Sequence, residues 1–123
     1  MIIKSTRSRT LGFTHHARAK MQFYKLSESR VKHVLYSPKR TEEGVAPKTV
    51  AAMQPGSIKR NGLKETWSQE IWVMYQDNGQ GRTIISAWRY PGVTKARSEA
   101  AMSLMRQEYD EFLSKTNKNK KET

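Results

Sequence analysis

Hydrophobic positions along this chain change period twice. Between residues 14 and 37 they recur every three to four: Ala17, Met21 and Tyr24 behind Thr14, then Val31, Val34 and Leu35 behind Ser27. That spacing lines one face of a helix, and Thr or Ser can cap the free N–H groups of a first turn. The pattern predicts a helix over 15–24. It predicts a second helix, capped by Ser27, that ends before Pro38, because the residue preceding a proline is driven out of helical geometry. From residue 48 the period falls to two. "KTVAAMQPG" is a short apolar run closed by a Pro-Gly turn, and "IKRNGLKETW" sets Asn61-Gly62 between two candidate strands. "EIWVMYQDNGQGRTIISAWRY" holds two β-rich runs about "DNGQG" and predicts an antiparallel hairpin of strands 71–76 and 82–90. Ile71, Val73 and Tyr75 fall on one face, Trp72 and Met74 on the other. On the return strand Ile85 and Ala87 alternate with Ile84, Ser86 and Trp88. Both faces are apolar, so this pair should lie centrally, covered on both sides. After Pro91-Gly92 the helical period returns. Ala101, Met102, Met105, Tyr109 and Phe112 form the stripe of a long helix, with Thr94 as its expected cap. The order predicts an α+β fold: two short N-terminal helices, an antiparallel sheet of three to five strands and a long C-terminal helix. It fits one domain over 1–113, with a polar basic tail over 114–123 expected to be disordered.

Composition narrows the function classes. The 123 residues contain no cysteine, which excludes disulfides, thiolate metal sites and cysteine nucleophiles. No stretch reaches the length of an apolar membrane span, and "MIIKSTRSRT" lacks the apolar run of a signal peptide, so a cytoplasmic protein is expected. The net charge is +12 and unevenly spread. Residues 1–40 hold ten Lys or Arg against one acid, Glu28, a net of +9. Such a surface attracts polyanions through its field and through counterion release, and nucleic acid is the commonest such partner.

"GFTHHARAKMQFY" (12–24) concentrates the candidate chemistry. Successive helical residues lie about 100° apart, so His15 and His16 take different faces, whereas His16 and Lys20 share one, with Tyr24 a turn beyond. Both histidines fall in a first turn, where free N–H groups favour an anion such as phosphate. No histidine stands four residues from another and no carboxylate lies nearby in the sequence, so no metal and no cofactor are expected. The set suits metal-free general acid–base work on RNA, whose 2′-OH can attack the adjacent phosphate. The alternative is that both histidines are ordinary solvated helix-start residues. Arg18, Lys25, Lys59, Arg60 and Lys64 are candidate phosphate contacts. Trp88 is a candidate stacking surface for a base, or else a core residue.

The words "FTHHARAKM", "LSESRVKHVLYSPKR", "EIWVMYQ" and "RTIISAWRY" resemble a family of small bacterial domains whose first helix reads roughly H-A-x-x-R-M-x-x-R-G-I-S and whose last strand ends V-I-T-A-Y-R. That family is allied to RelE-like and BrnT-like toxins, within a wider group of metal-independent ribonucleases. The resemblance spans about residues 11–90. It sets His16, Ala17, Lys20 and Met21 on the H, A, R and M positions. Leu26 and Ser27 take I-S, and Ser86, Trp88 and Arg89 take T, Y and R. Tyr24 replaces the second arginine and Lys25 the glycine. It implies a RelE-like ribonuclease toxin with His16, Lys20, Tyr24 and Arg89 as catalytic residues. It also implies RNA, free or ribosome-bound, as substrate and an acidic antitoxin as a partner. Two other classes stay open: a non-catalytic nucleic-acid-binding module, which Tyr24 in place of arginine favours, and a structural protein docking through its last helix.

Overall fold

A computed structural model describes residues 10–79 and 81–122, the side chains of 117–122 apart. The elements run β1 (Thr10–Phe13), α1 (His15–Tyr24), α2 (Glu28–Tyr36), β2 (Arg40–Glu43), β3 (Thr49–Pro55), β4 (Lys59–Asn61), β5 (Lys64–Thr66), β6 (Glu70–Asp77), β7 (Gly81–Tyr90) and α3 (Glu99–Glu122). Five strands form one sheet in the order β1-β7-β6-β3-β2, and β4 and β5 form a separate hairpin. The fold is α+β, with α1 and α2 on one face of the sheet and α3 on the other. Among the described residues no helix is long and apolar enough to cross a membrane.

Both short helices begin where their caps predict. Thr14 Oγ1 accepts from the Ala17 N–H at 2.9 Å, and Ser27 Oγ accepts from the Arg30 N–H at 3.0 Å. Helix α1 ends in a Schellman motif: Leu26 N–H reaches the Met21 carbonyl at 2.8 Å and Lys25 N–H the Gln22 carbonyl at 3.2 Å. This puts Lys25 in the left-handed region, φ 58° and ψ 50°, where glycine is the least strained residue. Helix α3 starts later than expected. Its cap is Ser98, whose Oγ accepts from the Ala101 N–H at 3.2 Å. Thr94 lies instead in the loop after β7, held by the buried Glu70 carboxylate of β6, which accepts from its N–H at 2.8 Å and its hydroxyl at 2.7 Å. At its other end α3 continues past residue 113 to Glu122, through the stretch expected to be a tail.

The sheet departs from the expected antiparallel pattern at one edge. Strand β1 pairs in parallel with β7, Thr10 opposite Gly81 through Phe13 opposite Ile84, so the sheet is mixed. The predicted hairpin is present: β6 and β7 are antiparallel and central, with Trp72 opposite Trp88. A bulge between Met74 and Tyr75 shifts the phase of the return strand. Ile84 therefore joins Ala87 in the core beneath α1 and α2, while Ile85 joins Trp88 beneath α3, against simple alternation. Trp72 and Trp88 stack with ring planes 3° apart and centroids 6.1 Å apart. Trp88 is 2% exposed, so it fills core and offers no face to a base.

Candidate functional site

The expected edge of α1 is present, but it is covered. His16 is 2% exposed, closed over by α3. Its Nε2 lies 2.9 Å from Glu108 Oε1, and its Nδ1 lies 3.1 Å from Lys115 Nζ. One tautomer satisfies both contacts, with Nε2–H donating to the carboxylate and Nδ1 accepting from the ammonium. The Ser86 hydroxyl donates to the same Glu108 oxygen at 2.6 Å, and Lys20 Nζ stands 2.9 Å from Glu108 Oε2. Burial alone would raise the Glu108 carboxyl, but hydrogen bonds from Ser86, Lys20 and His16 outweigh it and hold it below its ordinary value. Burial likewise works against the Lys20 ammonium, yet its bond to Glu108 holds it above its ordinary value.

Sequence spacing brought His16 and Lys20 together correctly. It missed the carboxylate between them, which comes from 92 residues away. A signal was present: Ala101, Met105, Glu108 and Phe112 follow the spacing of a core-facing stripe, and a carboxylate at such a position needs internal partners. Lys115, from the expected tail, was missed for the same reason. No carboxylate is near His16 in the sequence, but the fold brings Glu108 to it. Ligand atoms of His16, Glu108 and Glu111 lie within 4.8 Å of one another, a spacing that could hold a metal ion. However, Lys20 Nζ, 2.9 Å from Glu108 and 4.0 Å from Glu111, already fills the cation's place.

Arg89 does not join His16. It lies at the far end of α1, eight residues or about 12 Å along the axis, where its Nε donates to the Tyr24 carbonyl at 2.8 Å and its Nη1 to Gln69 Oε1 at 2.9 Å. Tyr24 packs its ring 5.5 Å from Lys20 Nζ and edge-on to Phe23. The four residues assigned to catalysis thus run along α1 instead of converging. His16 and Lys115 line a cavity of about 230 Å³ together with Thr14, His15, Phe112 and Thr116. Of the expected phosphate contacts, Arg18 is bound to Glu28 at 2.9 Å and Arg60 to Glu65 at 2.8 Å, while Lys25, Lys59 and Lys64 are exposed.

A second cationic group stands where α2 meets the sheet. Arg30 donates to Gln54 Oε1 and, at 3.3 Å, to the Pro55 carbonyl. His33 Nδ1 lies 3.0 Å from the same Gln54 oxygen. Burial, and then the charge of Arg89, hold the Arg30 guanidinium below its ordinary value. Among the described residues, neither Arg30 nor Arg89 meets a carboxylate. No family model, no curated protein and no solved structure matches this chain.

Proposed function

We propose that this protein binds nucleic acid, with RNA as its ligand, through a basic surface. The carrying observation is how the charges are spent. Glu28, Glu42, Glu65, Asp77, Glu99 and Glu108 each meet a Lys or Arg within the fold. Lys25, Arg30, Lys32, Lys59, Lys64 and Arg89 are left with no carboxylate partner among the described residues. A net charge of +12, with those six of the eleven acids already paired, is a field for a polyanion. Fluorescence anisotropy with a labelled 12-nucleotide RNA tests this. Binding should fall steeply between 50 and 200 mM salt, about tenfold or more for a handful of phosphate contacts. Binding that is absent at 50 mM, or indifferent to salt, rejects the reading.

A metal-independent ribonuclease of the RelE-like type is the second reading, and the Glu108–His16 pair favours it. A carboxylate that orients an imidazole through Nε2–H leaves Nδ1 as the basic nitrogen, here beside an ammonium. On this reading His16 takes the 2′-OH proton, Lys115 and Lys20 offset the phosphate charge, and an acidic antitoxin is the expected partner. Cleavage of free or ribosome-bound RNA in EDTA, abolished in His16→Ala and intact in His15→Ala, is the required result. Wild-type protein that leaves both RNAs whole removes it. The third class, docking through α3, loses its main support, since Ala101 and Met105 are buried against the sheet.

A further inference from the structure

We propose that the outer face of α2, with Arg30 at its foot, is the site for single-stranded RNA, Tyr36 stacking on a base while Arg30 and Lys32 hold the phosphates. This rests on the nucleic-acid reading above and names where the strand lies. Ser29, Lys32, His33 and Tyr36 follow one another at i, i+3, i+4 and i+7, the spacing of a single helix face. That face is turned to solvent, because Val31, Val34 and Leu35 hold the opposite one in the core. Tyr36 is 68% exposed, a large ring that the described residues leave open. Two open cavities, of about 460 and 590 Å³, meet along Arg30 and His33. One continues to Lys39 and Ile58, the other to Lys32 and Tyr36.

The charge of this face is what selects the occupant. Glu28, the only acid on α2, is held by Arg18, and the nearby Glu65 is held by Lys39 and Arg60. The charge of Arg89 acts against that of Arg30, and among the described residues both donate to neutral oxygens. An added anion relieves that repulsion, and the Arg30 guanidinium, which lines both cavities, suits phosphate oxygens. Arg30 and Tyr36 are six residues apart, about 9 Å along the helix, so one strand can reach both. A paired base has no free face for Tyr36, so the site is for an unpaired strand rather than a duplex.

The test uses the full chain and two labelled probes, a 12-mer of oligouridylate and a 12-base-pair RNA duplex, at 50 mM salt. Tyr36→Ala should weaken the single strand at least about fivefold, the loss of one stacked base, and leave the duplex within twofold. Tyr36→Phe should keep wild-type affinity. Lys32→Glu should weaken both probes. Both side chains are exposed, so urea midpoints should match wild type. Wild-type binding of the 12-mer that is unchanged in Tyr36→Ala and Lys32→Glu overturns this site while the general reading stands. Equal losses for both probes in Tyr36→Ala overturn the stacking role. No wild-type binding overturns the function and the site together.

Discussion

Substituting Glu108 by glutamine tests the central packing of the fold. The change keeps the side-chain shape, so no cavity term enters. It removes the charge that faces Lys20 and replaces one accepting oxygen by a donating amide among His16, Ser86 and Lys20. Breaking a buried pair from one side costs about 3–5 kcal/mol. The side chain of Glu108 is 3% exposed but that of Lys20 is 19%, so the ammonium can recover some hydration. We expect a loss of about 2–4 kcal/mol at pH 7, against a total for a domain of this kind of about 5–15 kcal/mol. With a urea m-value of about 2 kcal/mol per molar, the midpoint should fall by roughly 1–2 M, followed by the fluorescence of Trp67, Trp72 and Trp88. The pH dependence fixes the sign. Glu108 titrates below its ordinary value of 4.5 in the folded protein, so its stabilisation is present above that value and is lost as pH falls through the depressed one. Lys20 is raised above 10.5, so its share is present below that value and is lost only as pH rises through the raised one. The gap between wild type and Glu108→Gln should therefore be flat from about pH 6 to 9 and narrow in acid. A gap under about 0.5 kcal/mol at pH 7, or one that widens in acid, would refute the reasoning.

Lys25→Gly should raise stability by up to about 1 kcal/mol, because a lysine at φ 58° carries left-handed strain that glycine does not; a lower urea midpoint would contradict the Schellman reading. Zinc, manganese or EDTA should leave the melting temperature within about a degree, since the Lys20 ammonium fills the space between Glu108 and Glu111. A metal-dependent rise of several degrees would show that Lys20 can be displaced.

Local chemistry was the readable part of this chain. The caps Thr14 and Ser27, the Asn61-Gly62 hairpin and the β6–β7 pair each depend on residues close in sequence. Glycine takes φ +67° at Gly62 and +81° at Gly79, as those turns require. What was hidden depends on partners far away. Strand β1 is a strand because β7 offers it an edge, and nothing in "TLGF" announces a parallel partner. Strand β2, "RTEE", has no apolar alternation. It is held by pairing with β3 and by Arg40 and the Arg97 N–H, which both meet Glu42. The bulge at Ile85, opposite the Met74–Tyr75 step, leaves no mark in a run where both phases are apolar, so simple alternation puts Ile84 and Ile85 on the wrong faces.

The same distinction decides how His16 is to be understood. Helical spacing alone put the His16 imidazole beside the Lys20 ammonium on one edge, a candidate acid–base and phosphate site. Glu108 changes the chemistry without moving either residue. An imidazole whose Nε2–H is bound to a carboxylate and whose Nδ1 accepts from Lys115 has both nitrogens occupied. Before it could take a proton from a hydroxyl, Lys115 would have to leave Nδ1 and the substrate enter the cavity beside Thr14. Catalysis thus requires a second arrangement of α3 near residue 115, whereas binding RNA on α2 requires none. Tyr24 and Arg89 point the same way. Tyr24 stands two turns from His16 and carries no charge, and Arg89 is committed to the Tyr24 carbonyl and to Gln69, on the side where Arg30 stands. Arg30, Lys32 and Arg89, which meet no carboxylate among the described residues, stand on the α2 side, and that is why binding ranks ahead of cleavage.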